Sequence, residues 1–260
     1  MTGAAFLHRE IPALRKRVHR LGLAASFGID EAGIQEALDA GLNYVFYTRG
    51  VLERPVREAL RRDRERLVIA TGPVLGWFRG SIRRAAEKRL RALGTDYLDV
   101  FQLYWLSRMS AWTPGNVEEL LRLREEGKVR ALGVSIHDRP RAGKLAESSP
   151  LDQLMIRYNA AHPGAERDIF PHMSPGKPTI LAYTATAWRK LLKRPSGWTG
   201  PVMTAGDCYR FQLSNPHVDL AWTGPANREQ LEENLKALEK GPLTDDEQQW
   251  MRAFGKAAHG

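Results

Sequence analysis

Two hydrophobic rhythms alternate along this chain. Short, mostly apolar runs are separated by longer stretches with apolar positions three and four residues apart, the signatures of buried strands and of amphipathic helices. The clearest run is 98–105, Leu-Asp-Val-Phe-Gln-Leu-Tyr-Trp, with few polar breaks, as in a strand covered by helices on both faces. Before it, 81–93 predicts a basic helix that stops at Gly94, a residue type suited to the left-handed stop position.

The same reading extends in both directions. Residues 1–17 form a short preface, expected as a hairpin closing a barrel floor. Strands are predicted at 18–25, 44–48, 67–71, 98–105, 129–136, 151–159, 179–184 and 218–223. Helices are predicted at 31–40 (capped by Asp30), 55–62, 81–93, 117–126, 140–147, 165–173, 204–215, 228–240 (capped by Asn227) and 244–256. Residues 72–80 and 187–202 read as loops. Eight strands alternating with crossover helices specify a parallel sheet, and eight units favour closure into a (β/α)8 TIM barrel of the α/β class. At 260 residues, with no composition break, one domain over residues 1–260 is expected.

Composition narrows the picture. No apolar run reaches the length of a membrane span, the N-terminus lacks a signal-peptide core, and a single cysteine excludes a disulfide framework. A cytoplasmic location is the expectation. The balance of 39 basic to 30 acidic residues gives +9. Arginine and lysine concentrate between Arg54 and Arg91 on two helices within which no aromatic residues interleave, so solvated helix faces are expected there rather than a nucleic-acid partner. His162, Glu166 and His172 lack a metal-site spacing, because Pro163-Gly164 interrupts the helix their spacing would need. No metal is expected. Cys208, on a helix outside the barrel, reads as a buried thiol.

Six segments in order resemble the aldo/keto reductases. Tyr97-Leu98-Asp99 through Tyr104-Trp105 follows that family's fourth-strand pattern, and Gly41-Leu42-Asn43-Tyr44 its approach to strand two. Gly127 through Ser135 matches its G-K-[IV]-R-x-[IL]-G-[VL]-S signature, Tyr158-Asn159 the end of strand six and Ala182-Tyr183 that of strand seven. Gly224 through Asn234 resembles the segment opening the eighth helix. The resemblance implies carbonyl reduction with NADP(H), using a tyrosine acid, a lysine paired with an aspartate, and a histidine. In this chain those places hold Val51, Gly72, Phe46 and Tyr104. A phenol without a neighbouring cation is a poor acid near neutrality, so a remodelled site is expected, or a non-catalytic ligand-binding or regulatory pseudo-reductase. For the cofactor, the resemblance points to Ser135, Asn159, Tyr183, Gly224, Gln230, Glu233 and Asn234, while Ile136 and Met155 stand where amide-bearing partners would be.

Strand alternation puts Gln102 and Tyr104 on one inward face, Ser135 and His137 on the next, and Met155, Arg157 and Asn159 on the third. Tyr104 either donates a proton or fills the space of a histidine. His137-Asp138 either carries acid–base chemistry or caps the following helix. An inward Arg157 requires an anion, supplied either by Asp138 or by a small anionic ligand. Trp77, Trp105, Trp188 and Trp222 are placed around the mouth or in the core, and Trp77, Trp105 and Trp188 could hold a flat apolar ligand. Arg49 is placed near the same rim.

Overall fold

Parallel neighbours need a crossover between them, and here the crossovers run through helices, short between the sixth and seventh barrel strands and preceded by a long loop between the seventh and eighth. The computed structural model describes residues 3–48, 50–73, 80–106, 111–175 and 178–259. Arg49 and Trp77 lie outside them. The preface comprises helix α1 (Gly3–Leu7) and the antiparallel hairpin of β1 (His8–Ile11) and β2 (Lys16–His19). The barrel strands are β3 (Leu21–Ala24), β4 (Tyr44–Phe46), β5 (Val68–Thr71), β6 (Leu98–Leu106), β7 (Val129–Ile136), β8 (Gln153–Arg157), β9 (Thr179–Tyr183) and β10 (Leu220–Thr223). Their order is sequential, and β10 pairs in parallel with both β9 and β3, closing the cylinder.

Around it run α2 (Glu31–Asp39), α3 (Glu53–Arg62), α4 (Ser81–Leu93), α5 (Pro114–Glu125), α6 (Arg139–Ser148), α7 (Ala165–Asp168), α8 (Ala205–Ser214), α9 (Arg228–Glu239) and α10 (Asp245–His259). Sequence chemistry sets several of their ends. Asp30, Thr113, Asp138, Thr204 and Asn227 cap first turns with their side chains, and Gly94 takes φ 64° at the stop of α4.

Three expectations need correction. The stretch 18–25 is two elements rather than one strand, because Arg20 turns the chain by donating to the carbonyls of Leu213, Val218 and Asp219. The helix expected over 165–173 stops at Asp168 and resumes as a single tight turn, Phe170–His172, around Pro171. The loop over 187–202 contains a 3-10 turn at Lys190–Leu192.

Two cores result. One fills the space between strands and helices. The other lies inside the cylinder, where Ile11, Leu14 and Val18 of the preface pack with Tyr44, Val68, Val100, Ala131, Leu181 and Leu220. The hairpin is therefore the floor. Above the plug, a buried polar chain crosses the interior: Tyr44 Oη bonds Gln153 Oε1, Gln153 Nε2 donates to Gln102 Oε1 at 3.2 Å, and Gln102 Nε2 lies 3.9 Å from Met155 Sδ.

At the floor, every second barrel strand holds a backbone N–H of the chain before it. Asn43 accepts from His19 N at 2.9 Å, Asp99 from Ile69 N at 2.9 Å, Asp152 from Leu132 N at 3.0 Å, and Asp219 from Ile180 N at 2.9 Å. Several of the basic helix faces are cross-braced: Arg83 of α4 pairs with Glu119 and Glu126, and Arg54 with Glu31.

Candidate active site at the barrel mouth

Chemistry in a parallel barrel gathers where the strands end. The strands β5 and β6 pair at Ala70–Val100 and Thr71–Phe101, and one residue further on Gly72 lies close against the backbone of Gln102. A Cβ on Gly72 would lie 1.9 Å from the backbone oxygen of Gln102 and 3.1 Å from the Tyr104 ring. No side chain fits there. The Tyr104 ring also meets Phe46 edge-on at 5.6 Å, and Phe46 packs against Trp222 at 5.3 Å. An aromatic lid, Phe46–Tyr104–Trp222, thus stands over the polar chain on the β4–β6 and β10 side.

Burial raises the Tyr104 phenol far above its ordinary range, and Gln102, Arg89 and Thr71 offset only part of that shift. The hydroxyl points into protein. A bulge follows it: the β6–β7 register slips between Leu103 and Leu106, Trp105 takes φ 51°, and its N–H donates to Ser135 Oγ at 2.8 Å. A left-handed tryptophan is strained by about 1–2 kcal/mol. The bend leaves Trp105 63% exposed at the rim, whereas Trp222 is buried inside and Trp188 is exposed.

Across the mouth, three inward positions on neighbouring strands come together. Tyr183 Oη lies 2.9 Å from Nδ1 and 3.1 Å from Nε2 of His137, with their rings 5.7 Å apart. Arg157, between them on β8, pairs in register with Tyr183. Burial and the Arg157 charge both lower the His137 pKa, which favours the neutral imidazole. Burial pushes Tyr183 up to about 12 despite the opposing influence of Arg157. A neutral histidine hydrogen-bonded to a phenol beside a fixed cation can relay a proton or orient a polar ligand atom. The sequence reading named all three residues but did not pair Tyr183 with His137. The signal was available: both follow from alternation along β7 and β9, with only β8 between.

Asp138 stands outside this group. Its carboxylate caps α6 by accepting from Arg141 N at 3.1 Å. The cofactor candidates divide in the same way. Ser135 accepts from Trp105. Asn159 is fully buried, donating to Thr184 O at 2.7 Å and accepting from Ala161 N at 3.1 Å. Gln230 closes the α9 cap by accepting from Ala226 N at 2.9 Å, and buried Asn234 donates to Thr223 Oγ1 at 3.1 Å. Glu233 is exposed, as are Ala226 through Gln230 at the start of α9. Gly224 is covered by Phe27, whose ring lies 2.4 Å from where a Cβ would be.

Other candidates disperse. Glu166 is held by Tyr158 Oη at 2.6 Å and by Arg252, His162 packs against His259, and His172 lies 3.5 Å from Glu147. Among the described residues no group of three or more His, Cys, Asp or Glu could hold a metal ion. Cys208 is buried, and burial raises its thiol pKa well above the usual range.

Comparison with known proteins places this geometry in context. The sequence profile of the Aldo/keto reductase family matches residues 26–194, more than half of the chain. Aldo-keto reductase YhdN of Bacillus subtilis (strain 168) is 27% identical over 165 residues, covering 58% of this chain and only 50% of that protein. Methylglyoxal reductase YeaE of Escherichia coli (strain K12) is 26% identical over 222 residues, covering 82% of this chain and 76% of the relative. A solved aldo/keto reductase from Klebsiella pneumoniae, in complex with NADP and acetate, is 24% identical, with a TM-score of 0.75 and 93% of each chain covered.

Proposed function

Because the chain belongs to the aldo/keto reductase family, we propose that it is an NADP(H)-linked oxidoreductase of a divergent kind. It acts on a small anionic or aromatic molecule without the family's tyrosine-based carbonyl reduction. One observation carries the reading. At Gly72, the place of the family's lysine, the backbone of Gln102 leaves no room for a side chain. Phe46, at the place of the paired aspartate, packs on Tyr104 instead. Both halves of the ion pair that would acidify a phenol are replaced together. Neither phenol at the mouth has gained a substitute: among the described residues, no lysine or carboxylate hydrogen-bonds Tyr104 or Tyr183, and both pKa values are raised.

The cofactor reading rests on fit at one end. The N-terminus of α9 is exposed and twelve residues of helix stand behind it, a setting that favours phosphate, and Glu233 is free to meet an adenine amino group. At the other end, Ile136 and Met155 offer no amide to a nicotinamide, which leaves the half-buried ring of Tyr183 to stack on it. When bound, NADP(H) supplies a hydride. This chain's residues hold the ligand between the aromatic lid and the Tyr183–His137–Arg157 group, and His137 keeps a neutral imidazole ready to exchange a proton. The NADP in the Klebsiella pneumoniae structure and the reductase names of the relatives support this reading.

Titration with NADPH, followed by tryptophan fluorescence, should give a saturable change. No change up to millimolar cofactor would rule out the cofactor part. Mixed with NADPH and methylglyoxal or simple aldehydes, the protein should show turnover no faster than its His137→Ala variant. Brisk aldehyde reduction by the unmodified chain would overturn the divergent-site part.

A further inference from the structure

Arg157 is the unusual charge in the mouth. Alternation along β8 gives it the same face as Gln153 and Met155, which lie inside the cylinder. It is only part exposed. Several other guanidinium groups that leave bulk water are given partners by the chain. Arg20 donates to a set of backbone carbonyls, Arg64 pairs with Asp99 at 2.9 Å, Arg139 with Asp168 at 2.8 Å, and Arg210 with Glu247 at 2.6 Å. Arg157 has no such ion pair or hydrogen bond among the described residues. Asp138, the acidic side chain at the adjacent strand end, is spent on the α6 cap.

Among the described residues, the inward set at this rim therefore holds one permanent cation (Arg157), the His137 imidazole, the Tyr183 phenol and the Ser135 hydroxyl, with no carboxylate. A guanidinium removed from water without an anion is unfavourable, and its planar fork matches a carboxylate in a bidentate pair. We propose that Arg157 is the recognition group for the carboxylate of a small organic acid. The acid's body would lie toward Phe46 and Trp222, and its remaining polar atom would face the Tyr183–His137 pair. This deepens the ligand class given under the proposed function and rests on that reading of the mouth as a ligand site. A carboxylate is favoured over a phosphate dianion because, among the described residues, the inward set at this rim offers one fixed cation, Arg157.

The test uses the whole chain without cofactor, which separates it from the NADPH titration. Benzoate and pyruvate are titrated against tryptophan fluorescence, with benzamide as the uncharged match and inorganic phosphate as the alternative anion. At least one of the two carboxylates should saturate, and at least tenfold more tightly than benzamide or phosphate. Arg157→Met should weaken that binding at least tenfold while leaving the melting temperature unchanged or higher, since an unpartnered charge is removed. Arg157→Lys should bind with intermediate affinity, keeping the charge but losing the fork. The proposal fails if neither carboxylate binds, if phosphate binds better, or if Arg157→Met melts several degrees lower with binding unchanged, the mark of a structural role. Loss of NADPH binding would leave this result standing, and failure here would leave the family reading intact.

Discussion

At Gly72 one methyl group is enough to disturb the mouth. Its Cβ would sit at 1.9 Å from a carbonyl oxygen in the neighbouring strand, and backbone cannot step aside as a flexible side chain can. Gly72→Ala should lose about 3 kcal/mol or more of stability. Urea denaturation would show it, and an unchanged midpoint would mean that the strands have slack. Far below, His19 sets a pH response. Its Nδ1 accepts from Leu21 N at 3.0 Å, and burial lowers its pKa from 6.5 to about 4. Between these values the unfolded chain binds the extra proton, so the contribution is complete above about pH 6.5 and disappears as pH falls toward 4. The loss is on the order of 3 kcal/mol. His19→Gln should flatten that slope in denaturation curves at pH 7 and pH 4.5, and an identical slope would place the response elsewhere.

Elements were more legible than contacts. Alternation and caps located every barrel strand and predicted the inward faces of β6, β7 and β8, because period and capping chemistry are local. The bulge at Tyr104-Trp105 was not legible. It is a slip of β6 against β7, taken up by the Trp105 N–H to Ser135 Oγ bond, a relation between residues far apart in sequence. Asp99 and Asn43 were noticed only as parts of a family resemblance, and nothing local announced that each holds a neighbouring chain segment. The Asp99 site shows what such an anchor is worth. Fully buried, it binds Lys16 Nζ at 3.0 Å, Arg64 Nη2 at 2.9 Å and Ile69 N at 2.9 Å, joining the floor hairpin to β5 and β6. Asp99→Asn strands the buried Lys16 charge and should destabilise by about 3–5 kcal/mol. Adding Lys16→Met should recover part of that loss, and strict additivity in the double variant would exclude the coupling.

Across the whole molecule, the two ends of the cylinder have divided their duties. None of the described helices is long and apolar enough to cross a membrane. The family's name attaches to the fold, while the residues we propose for binding sit at the C-terminal ends of the strands. The anchors at Asn43, Asp99, Asp152 and Asp219 recur on alternate strands at the opposite end. Nothing that happens among Phe46, Gly72, Tyr104 and Arg157 has to loosen them. A lineage built this way can discard one trade and learn another on the same chassis, since the keel is laid where the cargo never touches it.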